Sequence, residues 1–250
     1  MGLYSTEAFV LRSYSLAEAD KICVFLTKEH GKLRGVAHGA RKMKSRFGSS
    51  LEPMTQVALT YYHKEGRDLM NVSTCDIIRS YFYEAARNVE TASAFSYISE
   101  LLTEFIPDSE PDERLYRLIS ATLGAIETGK SLDWTLRYFE TWVLRLGGFF
   151  PDVGNCSVCS ESVPMEHPIF ISMDGTPRCF GCSNGRGMTL NAPLKRLIYK
   201  MLSTHPASNE AGAIAASDAA ALSDINYQII RHALERDLRS RGPMKQLGGV

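Results

Sequence analysis

The chain has 250 residues, of which 44% are hydrophobic and 22% charged, and its 28 Lys and Arg balance 28 Asp and Glu. This length is sufficient for two or three compact units, each with its own hydrophobic core. No stretch approaches 18 uncharged apolar residues, which excludes a membrane-spanning helix, and six cysteines without a secretory signal predict a cytosolic protein. Residues 1–80 hold 12 cations against 8 anions, and residues 81–150 hold 6 against 11. The zero net charge therefore conceals a basic N-terminal unit.

The first eighty residues show the two-residue hydrophobic alternation of β-strands. Turn residues separate the predicted strands, and Gly31 supplies a positive-φ position in one of the turns. Five short strands suit a small closed barrel, of which the OB-fold is the commonest five-stranded version, although an SH3-like barrel has a similar pattern. The predicted strands cover residues 7–14, 21–27, 33–38, 56–63 and 69–78.

A basic loop follows the third predicted strand. Six cations and no acidic residue lie between residues 32 and 46, and an aromatic residue comes directly after them. Cations contact phosphates, and an aromatic ring can stack on an unpaired base, so this composition favours nucleic acid over a merely solvated loop. The predicted nucleic-acid-binding residues are Lys32, Arg34, Arg41, Lys42, Lys44, Arg46 and Phe47.

Near Tyr81 the hydrophobic period changes from two residues to about 3.6, which indicates helices. The first carries an apolar stripe from Phe95 to Phe105, and the second begins near Glu113. Ser131 is predicted to cap a third helix. Two more are predicted at residues 194–202 and 219–239, separated by an Ala-, Ser- and Gly-rich link at residues 204–217.

Two Cys-x-x-Cys pairs interrupt the helical region: Cys156 and Cys159, and after 19 residues Cys179 and Cys182. Two such loops complete the tetrahedron that zinc accepts, and a predicted strand at residues 168–172 with a turn at Asp174-Gly175 would bring them together. Four thiolates leave no open position for a metal-bound water, so we predict a structural zinc. Two disulfides or four free thiols are the alternative.

These elements predict an α+β multi-domain protein. An N-terminal five-stranded OB-fold barrel occupies residues 1–80. A helical domain follows in two parts, at residues 81–151 and 188–250, around an inserted four-cysteine zinc-binding segment at residues 152–187.

Several of these segments resemble the RecO family. The similarity is dense over the first fifty residues and has later landmarks at Leu144–Phe149 and in the cysteine pairs. The N-terminal segments are Val10–Arg12, Glu18–Lys21, Leu26–Lys32, Gly39–Arg41, Lys44–Gly48 and Leu51–Pro53.

The resemblance implies an OB-fold, a central helical domain and a zinc-binding segment. RecO proteins bind single- and double-stranded DNA, anneal complementary strands, and work with RecR to replace single-stranded DNA-binding protein by RecA. The family docks the C-terminal tail of single-stranded DNA-binding protein in its helical domain. The resemblance therefore implies a recombination mediator of DNA repair, in the RecF pathway, in the bacterial cytoplasm and associated with the nucleoid.

No enzyme motif accompanies these features. The sequence contains no acid/base pair, nucleophile motif or phosphate loop at credible spacing, and the glycine-rich residues 181–187 lack the Lys-Ser/Thr ending of a P-loop. We therefore expect no catalytic activity. The alternative function is a generic OB-fold and zinc nucleic-acid-binding module of transcription or translation, which has no need to anneal strands.

Overall fold

The computed structural model describes residues 2–64, 66–208 and 214–246, which form two compact units. The first unit contains residues 2–117 and 240–246, and the second contains residues 118–239. Glu65, in the turn between the fourth and fifth predicted strands, lies outside the described residues. Residues 209–213, in the predicted link, also lie outside them.

A closed five-stranded barrel forms most of the first unit, as predicted. Strand β3 pairs in parallel with β5, and β1 closes the barrel by pairing with β4, so that the order is β1-β2-β3-β5-β4. This strand order is that of the OB-fold, so the barrel is of the OB type and not SH3-like. The strands are β1 (Gly2–Leu16), β2 (Asp20–Thr27), β3 (Gly31–Ala37), β4 (Gln56–His63) and β5 (Leu69–Arg79).

Alternate side chains of the strands fill the barrel interior. Val10, Phe25 and Leu59 are at most 1% exposed and belong to one hydrophobic cluster. Strand β1 begins five residues earlier than predicted, because its first residues pair with the end of β4 and Leu3 and Tyr4 stay exposed there. Because these apolar residues are exposed, the alternation of buried apolar and exposed polar residues does not indicate this part of the strand.

Helices cover part of the barrel's outer surface. The short α1 (Phe82–Arg87), which the sequence pattern did not predict, precedes α2 (Val89–Phe105). Asn88 caps α2 by accepting a hydrogen bond from the Thr91 N–H at 2.7 Å. On the side that faces the barrel, the Ser99 hydroxyl donates to the Leu11 carbonyl at 2.5 Å. Helix α2 therefore covers the outer surface of β1 near Leu11.

The second unit is helical. It contains most of α3 (Glu113–Glu127), together with α4 (Leu132–Leu146) and three later helices. Ser131 caps α4 as predicted, accepting from the Trp134 N–H at 3.4 Å. Arg137 and Glu140 form an ion pair at 2.8 Å in its interior, where both side chains are 0% exposed. The later helices are α5 (Phe180–Ser183), α6 (Ala192–Ser203) and α7 (Ala216–Leu234).

The predicted helix at residues 219–239 is wrong at its C-terminal end. Helix α7 stops at Leu234, because Glu235 adopts a left-handed conformation with φ 55°. A separate helix, α8 (Arg241–Gln246), belongs to the first unit. The Glu100 carboxylate of α2 accepts hydrogen bonds there from the Ser240 N–H and hydroxyl. No helix among the described residues is long and apolar enough to span a membrane.

Candidate nucleic-acid interface and metal site

A small sheet brings the two cysteine pairs together. Strands β6 (Ile169–Ile171) and β7 (Pro177–Arg178) form the predicted hairpin, and β8 (Met188–Leu190), which was not predicted, pairs with the other edge of β6. The turn closes at Gly175, with φ 78°, as the Ser172 N–H donates to the Thr176 carbonyl at 3.0 Å.

The four cysteine sulfurs form a compact cluster. The Sγ atoms of Cys156, Cys159, Cys179 and Cys182 lie within 4.8 Å of one another, and those of Cys159 and Cys179 are 3.8 Å apart. A regular tetrahedron with metal–sulfur bonds of about 2.3 Å has edges of about 3.8 Å. The four cysteines can therefore hold one metal ion, and none of them forms a disulfide.

The electrostatics of the cluster also favour a cation. Backbone N–H groups of Cys159 and Cys179 lower the pKa of the Cys156 thiol to about 6. Hydrogen bonds with the neighbouring thiols of Cys179 and Cys159 raise the pKa of the Cys182 thiol to about 12. A divalent cation at the centre would favour the thiolate form of all four cysteines, because its positive charge stabilises the negative sulfurs.

A buried lysine, which the sequence analysis missed, supports the metal segment. The ammonium of Lys195 donates to the carbonyls of Val163, Pro164 and His167 at 3.1, 2.9 and 3.4 Å. The residue is 1% exposed, and burial lowers its pKa. Its position three residues before Ile198, on the apolar side of α6, was the available signal in the sequence.

The basic loop between β3 and β4 presents most of its charge to solvent. Arg41, Lys42, Lys44 and Arg46 are all exposed. The Arg41 backbone N–H donates to the Ala19 carbonyl at 2.9 Å, and its guanidinium donates to the Ala17 carbonyl at 2.7 Å. The loop therefore lies beside the β1–β2 turn, which is one of the loops that OB-folds use to bind oligonucleotides.

Two of the predicted DNA-binding cations are engaged within the first unit. The Lys32 ammonium is 2.5 Å from the Thr103 carbonyl and 3.0 Å from the Asp108 carboxylate, and its side chain is 5% exposed. Arg34 approaches the same carboxylate at 3.4 Å but stays half exposed. The predicted role of Lys32 is therefore corrected: it is a structural residue, since its charge is buried and paired.

The structure also contradicts the predicted role of Phe47. Its ring is 3% exposed and packs in the barrel core in the same cluster as Leu51. The Arg46 guanidinium covers the ring at 4.7 Å from its centroid. The loop folds back over the barrel at this point, so the ring has no free face for a base.

Comparison with known proteins agrees with this architecture. The profile described as Recombination protein O N terminal matches residues 1–81, and the profile described as Recombination protein O C terminal matches residues 86–242. A DNA repair protein RecO from Koribacter versatilis is 34% identical over 216 residues, which cover 84% of this chain and 85% of the relative.

Further relatives have the same description. A DNA repair protein RecO from Thermodesulfovibrio yellowstonii is 33% identical over 202 residues, covering 80% of this chain and 79% of the relative. Another from Desulforamulus reducens is 33% identical over 183 residues, covering 73% and 70%. With both profiles matched and this identity sustained over most of its length, the chain belongs to the RecO family.

Proposed function

We propose that this chain is a non-enzymatic recombination mediator of DNA repair in the RecF pathway. It binds single- and double-stranded DNA, anneals complementary strands, and acts with RecR to load RecA onto DNA coated by single-stranded DNA-binding protein. Family membership and the DNA repair relatives support the proposal. The observation that carries it is the set of four exposed cations at Arg41, Lys42, Lys44 and Arg46 on an OB-fold barrel.

Charge neutralisation accounts for annealing without covalent chemistry. Two complementary strands repel each other through their phosphates. Cationic side chains that bind the phosphates neutralise part of this charge and release the condensed counterions into solution. The loop supplies this charge at one place, because residues 38–51 contain no acidic side chain. Bases stay available for pairing when a protein contacts the backbone alone. The proposed chemistry therefore needs no catalytic residue.

We further propose that the metal at the four cysteines is zinc. Thiolate ligands in a tetrahedron are the set that zinc prefers in structural sites, and the cluster offers four of them. When bound, the ion supplies folding energy to the segment at residues 152–187. Lys195 of α6 donates hydrogen bonds to the loop between the two cysteine pairs and so fixes this loop against the helix.

We also propose that residues 1–80 make the DNA contact and that residues 81–151 and 188–250 form the helical domain. Of these helices, α1, α2 and α8 belong to the same compact unit as the barrel. The helical domain is the proposed docking place for the C-terminal tail of single-stranded DNA-binding protein. A mediator with these partners acts in the bacterial cytoplasm, at the nucleoid.

A strand-annealing assay tests the proposal. Complementary oligonucleotides with a donor and an acceptor fluorophore are mixed with and without the protein, and energy transfer is followed over time. We expect the wild-type chain to accelerate pairing, and a variant with Ala at Arg41, Lys42, Lys44 and Arg46 to have no effect. Tight DNA binding without any acceleration by the wild type would favour a generic binding module instead.

A further inference from the structure

The end of the barrel opposite the basic loop carries a group of three aromatic rings, of which the Tyr4 ring is exposed. The Tyr4 and Tyr61 rings are stacked, with centroids 5.5 Å apart and planes at 20°. His30, in the β2–β3 turn, meets both rings edge-on, at 5.8 Å from Tyr4 and 6.2 Å from Tyr61. Tyr61 is buried, whereas Tyr4 is 43% exposed. The Tyr4 ring thus lies at the surface, and its stack on the buried Tyr61 ring fixes its orientation.

The absence of a side chain at Gly2 leaves room for this arrangement. A Cβ atom added at Gly2 would lie 2.7 Å from the Tyr4 ring, a distance that no unstrained contact allows. The Tyr4 ring therefore packs directly against the backbone at the start of β1. This contact and the stack on Tyr61 hold the ring in one place at low conformational cost.

A small cavity with both basic and acidic side chains in its lining lies beside Tyr61. It has a volume of about 120 Å³ and is lined by residues of β3 and β4, by Arg67 and Asp68 of the β4–β5 turn, and by Asp108 and Ser109. Arg34 is half exposed at one side, and Arg67 is exposed in the turn at the other. His63 lies between them, with its Nε2 at 3.0 Å from the Arg67 carbonyl. We call this region, with Tyr4 and His30, the barrel mouth.

Two cations, Arg46 and Arg34, lie beside β5 between the basic loop and the barrel mouth, and Arg34 also pairs with Asp108. The Arg46 guanidinium donates to the Val72 carbonyl of β5 at 3.4 Å. Arg34 lies opposite Leu69 in the parallel β3–β5 pair. These two points of β5 are three positions apart, which is a distance of about 10 Å along the strand. One nucleic-acid strand that leaves the basic loop can therefore reach Arg34 and then the mouth.

We propose that the barrel mouth is a binding site for one unpaired base of single-stranded DNA. The base stacks on the exposed face of Tyr4, and Arg34 and Arg67 contact the flanking phosphates. The inference rests on the proposed function and adds to it a site that distinguishes single strands from duplex, because a paired base is not available for stacking. The β4–β5 turn is the second loop that OB-folds use for oligonucleotides, which places the mouth where such a ligand is bound.

Leucine at Tyr4 tests the stacking. Leucine keeps an apolar side chain but removes the aromatic face, so we expect Y4L to bind a single-stranded oligothymidine about tenfold more weakly. Its affinity for duplex should be unchanged, and Y4F should bind as the wild type does. Y199L is the matched control, since Tyr199 is 45% exposed but lies in the second unit. Unchanged melting temperatures verify that each variant is folded.

Photocrosslinking locates the base directly. An oligothymidine carrying 5-iodouracil is irradiated with the wild-type protein, and the crosslinked peptide is identified by mass spectrometry. Crosslinks at Tyr4 or His30, together with the selective loss in Y4L, support the barrel mouth. If the wild type binds single strands but Y4L retains full affinity and the crosslinks map elsewhere, this inference fails while the proposed function stands. If the wild type does not bind single strands at all, the proposed function itself fails.

Discussion

Removing the four exposed loop cations should change the salt dependence of DNA binding by a predictable amount. Each phosphate neutralised on a single strand contributes about −0.7 to the slope of log K against log salt. Lys32 is buried and paired, so the loop contributes four charges, at Arg41, Lys42, Lys44 and Arg46. Four contacts correspond to a slope of about −2.8, and to roughly fiftyfold weaker binding between about 50 and 200 mM salt.

Fluorescence anisotropy of a labelled oligothymidine, titrated at several salt concentrations, measures this slope. Substituting all four residues with Ala should make it less negative by about 2.8. The melting temperature should change little, since exposed loop charges contribute little to stability. A control with Ala at Arg114, Arg117, Arg145 and Lys200, which are exposed outside the loop, removes the same charge. A loop variant with the wild-type slope, or a control that flattens it equally, would refute the assignment of the loop.

Three further predictions concern stability and metal binding. Phe47→Ala should lower the free energy of unfolding by about 3–5 kcal/mol, because the ring lies in the barrel core; a stable variant in a denaturant titration, with weaker binding of single strands, would restore the stacking role. Cys179→Ser should lose the metal, and limited proteolysis should cut the second unit while the barrel stays intact; retention of one zinc per chain by metal analysis would argue against the four-cysteine site. Lys195→Met should destabilise the second unit by on the order of 3 kcal/mol, because three carbonyls, of which that of Val163 is buried, lose their donor. Calorimetry measures that change, and a higher melting temperature would contradict it.

The barrel and the metal site could be predicted because short-range patterns determine them. Alternation places Val10 and Phe25 on one side of their strands without reference to the rest of the chain. The cysteine spacing and the turn at Asp174-Gly175 together bring four thiols to one point. In both cases the residues that interact are related by a period or a turn that can be identified locally.

The loop residues could not be assigned in this way. Phe47 fills the core because the loop folds back over the barrel, and no period in the loop indicates which side chains point inward. The charge of Lys32 is neutralised by Asp108, which lies 76 positions later in the chain. Burial of Lys195 likewise depends on three carbonyls of a distant segment. These roles follow from tertiary contacts, which periodicity does not contain.

The end of α7 illustrates a different reason. The hydrophobic pattern continues past Leu234 to Leu238, which is 4% exposed, so burial alone does not mark the stop. The helix ends because Glu235 adopts a left-handed conformation. Glycine usually occupies such a position, and its absence here leaves the helix end without a signal in the sequence. The hydroxyl of Tyr227 then accepts from the Leu238 N–H at 3.3 Å and donates to Asp237 at 2.9 Å. A side chain of α7 itself, about two turns before its end, thus stabilises the break.

The proposal that this chain is a mediator can be tested on strands coated with single-stranded DNA-binding protein. Coated complementary oligonucleotides do not pair readily, and a mediator must overcome that barrier without nucleotide hydrolysis. Energy transfer between labelled strands should rise when the wild-type protein is added in the absence of ATP. It should stay at the background rate with the variant that lacks Arg41, Lys42, Lys44 and Arg46. A wild-type protein that leaves coated strands unpaired, or that anneals them only when ATP is supplied, would contradict the account.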